Sequence, residues 1–260
     1  MTSAPTAVPP HTPHAGARSP RFLRPGGHTA HGDTVAYRLG KLAAHGVIEG
    51  AWLDCGCAEG YYADALAEFG ATRVVGIDPI SERILQARSR PHPDAVTFER
   101  AHAESLPFDD ASFDGALLNE VLEHVSDEHA ALREVARVIR ARGHLALFSP
   151  NRWFPFEGHG ARINEKWAVG YPLPLLPWLP GRLTGRFQTA RNYWPSELRR
   201  LVRSAGFEIA ETGWALVRFG QYPWLPKAAI EWFHRNSANI ERSPVAPLAA
   251  VSTYVLARKP

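Results

Sequence analysis

Between Ala51 and Ser149 short apolar runs alternate with amphipathic stretches, and this alternation is what most restricts the folds open to the chain. Apolar runs at 51–55, 73–78, 95–99, 112–118 and 144–149 have the length of strands. Between them the spacing predicts a helix over 60–69 that stops at Gly70, a helix begun by Ser81, and a helix over 127–140. The last carries Leu132, Val135, Ala136 and Ile139 on one face. Strands alternating with helices of this size imply a parallel sheet with crossover connections, because only a crossover returns the chain to start a parallel neighbour. The expected architecture is therefore an α/β, Rossmann-like, doubly wound sheet of seven mostly parallel strands with helices on both faces. A lead-in helix is expected over 33–45 from Val35, Leu39, Leu42 and Ala43, with Gly46 at its end. A late helix over 195–205 and strands at 207–214 and 252–258 complete the pattern.

Two stretches break the rhythm. Residues 1–30 hold six prolines and almost no apolar periodicity, so they cannot bury enough surface to offset their ordering entropy and are expected to be a disordered tail. Beyond Pro150 the texture becomes aromatic and proline-rich: seven of the eight tryptophans lie there, together with Pro172, Pro174, Pro177 and Pro180. The expected organisation is one domain over 31–260, with 151–192 inserted as a lid or cap that binds substrate. The net charge of +3 does not by itself imply nucleic acid. Cys55 and Cys57, one residue apart, suit neither a disulfide nor a four-ligand zinc site and read as small packing residues. With no apolar run near the ~20 residues needed to span a bilayer and no leader-like start, a cytoplasmic location is expected.

The run Leu53-Asp54-Cys55-Gly56-Cys57-Ala58-Glu59-Gly60 puts a small-residue loop between a buried strand and a helix, where open α/β sheets bind nucleotides. Asp78 ends the next strand, 24 residues after Asp54, where a carboxylate can accept both hydroxyls of an adenosine ribose. A nicotinamide dinucleotide is disfavoured. The loop never reads G-x-G-x-x-G, and Glu59 stands where a pyrophosphate would approach. Asp54 would likewise repel phosphate, yet it can hold the ammonium of a methionyl group, directly or through water, so S-adenosylmethionine is the expected cofactor.

These residues resemble the class I small-molecule methyltransferases of the type 11 group, whose first motif is Leu-Asp-x-Gly-Cys-Gly-x-Gly. Further landmarks follow in family order: Ala103-Glu104-Ser105-Leu106-Pro107-Phe108, Ala111-Ser112-Phe113-Asp114, Glu120-Val121-Leu122-Glu123-His124-Val125, and the late segment from Tyr193 to Glu208. The resemblance implies that Asp54, Gly56, Cys57, Ala58 and Gly60 line the methionine moiety and that Asp78 holds the ribose. Pro79 and Ile80 would flank adenine, Ala103 and Glu104 would lie at its edge, and Asn119 would offer backbone to the amino-acid end. Two departures stand out: Ala58 replaces a glycine, and His102 replaces the aspartate that accepts from the adenine amino group.

For the chemistry of transfer, His159 and His124 are the candidate general bases, since imidazole titrates near neutrality. Glu120, Glu123 and His124, at i, i+3, i+4 spacing, could gather around a divalent ion, but ordinary polar packing is the stronger reading of the same pattern, and no metal is expected. The expected activity is methyl transfer to oxygen, carbon or nitrogen of a small, hydrophobic acceptor, with peripheral membrane contact left open. The alternatives are a nucleic-acid methyltransferase, against which stands the absence of Asn-Pro-Pro-aromatic after the fourth strand, and a catalytically inactive partner protein that binds S-adenosylmethionine.

Overall fold

The computed structural model describes residues 28–157, 161–162, 168–169, 173–179, 190–217 and 226–260. Seven strands form one sheet: β1 (Gly50–Cys55), β2 (Ala71–Asp78), β3 (Val96–Arg100), β4 (Phe113–Asn119), β5 (Ile139–Pro150), β6 (Glu208–Leu216) and β7 (Ala250–Arg258). Their order is β6-β7-β5-β4-β1-β2-β3. The five strands β1 to β5 run parallel, and β7 lies antiparallel between β5 and β6. This is the doubly wound α/β sheet that the strand–helix rhythm predicts.

Alternation along each strand sends side chains to two separate cores. Trp52, Val74, Leu117 and Phe148 point to one face, where they meet Leu39 and Leu42 of α1 (His28–Ala43), Leu66 of α2 (Tyr61–Glu68) and Ile84 of α3 (Ser81–Ser89). Leu53, Val75, Leu118 and Leu147 point to the other, against Leu132 and Val135 of α4 (Glu128–Val138) and Leu198 and Val202 of α5 (Pro195–Ser204). Helix α4 begins where it does because the Asp127 carboxylate accepts from the backbone N–H of His129 and Ala130, at 2.9 and 3.0 Å.

Several boundaries differ from expectation. Helix α1 starts at His28, inside the stretch read as a tail; residues 1–27 lie outside the described ones. Helix α4 ends at Val138 and β5 starts at once, five residues before the expected strand. Arg140, Arg142 and Gly143 give that start no apolar signature, and a side chain on Gly143 would strike the carbonyl of Asp114 at 2.6 Å. Beyond Pro226 the chain forms α6 (Lys227–Arg235), α7 (Ser237–Glu241) and α8 (Ala246–Ala249), which the sequence reading did not anticipate.

The described parts of the segment after β5 pair with one another. Phe156–Glu157 runs antiparallel to Leu173–Pro174, and Ala161–Arg162 to Ala168–Val169. Asn151 fixes the exit from β5: buried, it donates from Nδ2 to the carbonyls of Pro247 and Ala250, at 2.7 and 2.8 Å.

Candidate functional site

In the sheet β1 pairs with β2 on one side and β4 on the other, so the strand order reverses at β1. A crevice opens at such a reversal because the crossovers leave in opposite directions. The loop after β1 is folded across the end of β2. The N–H groups of Gly56 and Cys57 both donate to Ile77 O, at 2.7 and 2.8 Å, and Gly60 N donates to Cys57 O at 2.8 Å. Gly56 and Gly60 have φ of +81° and +87°. A side chain on Gly56 would collide with Val121, and one on Gly60 would come within 2.5 Å of the Phe98 ring. Only glycine fits either place. Ala58, between them, also sits at positive φ, +47°.

The two strand-end aspartates are buried but differently served. Asp78 accepts from Ile80 N at 2.9 Å through Oδ1 and from Ala58 N at 3.2 Å through Oδ2, with Arg83 Nη1 at 3.4 Å. It therefore stitches the first loop to the start of α3. Asp54 is different: among the described residues its Oδ2 has no hydrogen-bond partner. Burial pushes its carboxyl up to about 7, with the nearby charges of Asp78 and Asp64 adding to the effect and a backbone hydrogen bond from Ala63 opposing it. A buried carboxylate with an unserved oxygen, at the head of a loop floored by glycines, suits a cation.

The remaining predicted cofactor residues border the same edge. Pro79 is exposed and its carbonyl accepts from Arg100 Nε at 3.1 Å; Ile80 precedes α3. Ala103 is buried just beyond β3, and Glu104 accepts from Ser126 N at 2.8 Å, tying that loop to the one after β4. Asn119 ends β4 with its side-chain oxygen held by Arg38 Nη1 at 2.6 Å. Cys55 and Cys57 are free and buried, and burial drives both thiols well above the ordinary range, which leaves them as packing groups.

The candidate bases and ligands fare unevenly. His124 lies in the turn after β4, with 44% of its side chain exposed and its Nε2 3.9 Å from Glu123 Oε1. His159 lies outside the described residues. Glu120 faces Arg38 Nη1 at 2.8 Å and the hydroxyl of Ser252. Among the described residues no three His, Cys, Asp or Glu side chains gather as metal ligands.

Arg38 is the residue that sequence reasoning missed. Buried on α1, it donates to Asn119 and to Ser252 Oγ at 2.8 Å, pairs with Glu120, and lies over the Phe148 ring at 5.2 Å. Tyr62 also hydrogen-bonds Asn119. A signal was present: Val35, Arg38, Leu39 and Leu42 fall at i, i+3, i+4 and i+7, so the arginine stands in the apolar stripe of its own helix.

Residues 53–147, the part of the chain that contains this edge, match the family described as "Methyltransferase domain". That segment is a methyltransferase domain of the type 11 group. Its cofactor type is S-adenosylmethionine. Among relatives, a "Probable S-adenosylmethionine-dependent methyltransferase" of Mycolicibacterium smegmatis is 32% identical over 62% of this chain and 52% of its own length. An "O-methyltransferase resE" of Aspergillus sclerotiorum is 37% identical over 61% of this chain and 55% of its own length. The chain thus spans about half the length of the curated relatives it matches. A solved S-adenosylmethionine-dependent methyltransferase from Mesorhizobium loti shares the fold at a TM-score of 0.58, with 19% identity over 86% of this chain and 98% of the other. The methyltransferase edge fits that cofactor on its own chemistry. The buried carboxylate of Asp54 suits an ammonium, the side-chain-free floor at Gly56 and Gly60 admits close approach, and Asp78 keeps lone pairs for hydroxyl donors.

Proposed function

We propose that this methyltransferase domain transfers a methyl group from S-adenosylmethionine to a small, hydrophobic acceptor. The observation that carries this reading is the pair of buried strand-end carboxylates, Asp54 and Asp78, on either side of a loop floored by Gly56 and Gly60. When bound, the cofactor supplies an electrophilic methyl group on a sulfonium. Everything else falls to the chain. Asp54, with Gly56, Cys57, Ala58 and Gly60, holds the methionyl end. Asp78 accepts the ribose hydroxyls, Pro79 and Ile80 flank the base, Ala103 and Glu104 border it, and Asn119 backs the amino-acid end.

Methyl transfer from a sulfonium is downhill, so alignment and exclusion of water matter most, with proton removal added for a hydroxyl acceptor. Residues 151–192 serve as the cap that excludes water over the acceptor. His124, half-exposed beside the β4 end, accepts the acceptor's proton, a role that His159 would fill from the cap. An apolar acceptor is supported by the aromatic composition of that segment, and an oxygen acceptor by the activity named for the Aspergillus relative.

Calorimetric titration with S-adenosylmethionine and S-adenosylhomocysteine tests the reading. Micromolar binding is expected, lost in Asp78→Ala and weakened in Asp78→Asn, with circular dichroism to check the fold of each. Absence of binding to the intact protein overturns the proposal. Labelled-methyl transfer to hydrophobic phenols, quinols and lipids then identifies the acceptor class.

A further inference from the structure

A cavity of about 240 Å³ lies between α1 and α2, and none of the residues proposed to contact the cofactor lines it. Helix α2 brings two stripes of side chains to its wall. Tyr61, Ala65 and Phe69, at i, i+4 and i+8, form an apolar surface together with Val35 and Ala36 of α1. Asp64 and Glu68 line the cavity beside them, and their spacing of four sets the two carboxylates one turn apart on one side of the helix.

The acidic stripe is short of cations. Arg90, the basic residue at the wall, donates from Nη2 to Asp64 Oδ2 at 2.7 Å and from Nη1 to the carbonyl of Glu59, and its guanidinium lies over the Tyr61 ring at 4.0 Å. Asp64 Oδ1 is buried and has no hydrogen-bond partner among the described residues. Glu68 closes α2 at the negative end of the helix dipole, and no basic residue stands in that last turn. Like charges four apart and a carboxylate at a helix C-terminus both destabilise a helix, so a cation seated beside them relieves both. Chemistry narrows the ligand further. An anion would meet two carboxylates and a guanidinium already engaged. A neutral apolar molecule would leave Asp64 Oδ1 unserved. A metal ion needs about six oxygen ligands, whereas much of this wall is aromatic and aliphatic carbon. An ammonium serves the carboxylates, and an apolar body fills the rest.

We infer that the cavity between α1 and α2 binds a small organic cation, an ammonium on an apolar body of on the order of ten non-hydrogen atoms in all. This site is separate from the role proposed for Asp54 and does not depend on it. Arg90 joins the two regions, because it holds Asp64 at the cavity wall and the carbonyl of Glu59 in the loop after β1. A bound amine therefore touches the same clamp that holds that loop.

NMR titration of the full chain with phenethylamine tests it, with phenylacetate and phenethyl alcohol as controls of similar shape. The amine is expected to bind with a Kd of about 1 mM or tighter, as about nine non-hydrogen atoms allow, and about tenfold or more tightly than either control. Glu68→Gln, which removes one carboxylate, should weaken it about fivefold. Ala36→Leu, at an exposed position of α1 that lines the cavity, should weaken it about tenfold or more by filling the space. Circular dichroism of both variants should match the wild type, which separates loss of the cavity from loss of fold. No binding of the amine, or equal binding by wild type and both variants, overturns the inference. So does equal binding of phenylacetate, since charge would then not select the ligand. Displacement of the amine by S-adenosylhomocysteine overturns it as well, because the amine would then sit at Asp54.

Discussion

At the residue scale, the role proposed for Asp54 ties ligand capture to protonation. Its carboxyl titrates at about 7 in the folded, ligand-free protein because it is buried, against an ordinary value of 3.8. The folded state therefore binds the proton more tightly than the unfolded chain does. The stability this contributes is complete below pH about 4 and is lost as pH rises through 7. Urea midpoints of the ligand-free protein should accordingly contain a component that declines between pH 4.5 and 7.5 and vanishes in Asp54→Asn. Binding runs the other way, since an ammonium is held by the ionised form. Affinity for S-adenosylmethionine should climb about tenfold per unit up to pH 7 and then level off, with no such slope in Asp54→Asn. Four residues along, Ala58 holds a φ of +47° that costs an L-residue roughly 1 kcal/mol. Ala58→Gly should be nearly neutral in stability, because relief of strain is offset by the freedom glycine gains on unfolding. Ala58→Val should lose about 1–3 kcal/mol by chemical denaturation, since a branched side chain resists that geometry most. The identity of Ala58 was readable from the chain, but its backbone angle was not, because positive φ follows from how the loop is tied to Ile77 and Asp78.

Between elements, Arg38 couples α1 to the site. Arg38 joins it to the end of β4 through Asn119 and Glu120 and to β7 through Ser252, and Glu120 itself sits at φ +56°. Arg38→Ala would strand these acceptors around a buried hole, with an expected loss of about 3–5 kcal/mol in urea unfolding. Arg38→Lys keeps the charge but not the planar fork, so partial recovery is expected. Weakened cofactor affinity in Arg38→Lys at intact stability would assign the clip to positioning of Asn119. The elements that were legible from sequence are those whose period is set by burial, β1, β2, β4 and α4 among them. Those that escaped are short or polar at their start, or, like α6, amphipathic in sequence over too few residues to stand out. The start of β5 is arginine-rich, and α6 and α7 bury none of their side chains. Arg38 escaped for the opposite reason: a charge in an apolar stripe is read as an interruption until its partners, all at least 81 residues away, are seen.

For the molecule as a whole, the central strands separate two cores, and Trp52, Leu117 and Phe148 have no exposure at all on one face, nor Leu53, Leu118 and Leu147 on the other. Amide exchange should be slowest in β1, β4 and β5 and fastest in α6 and α7, a gradient that hydrogen-exchange mass spectrometry resolves. The doubly wound plan was evident from rhythm alone, whereas the place of β7 was not, because an antiparallel insertion between β5 and β6 leaves no trace in the order of apolar runs. That placement bears on how the protein is made. The ribosome delivers β1 to β5 long before β7, and until Ala250–Arg258 emerges, β5 has an open edge, β6 has no neighbour and Glu120 lacks the hydroxyl of Ser252. The nascent chain thus holds every residue proposed to contact the cofactor yet completes the polar frame behind them only with this late strand.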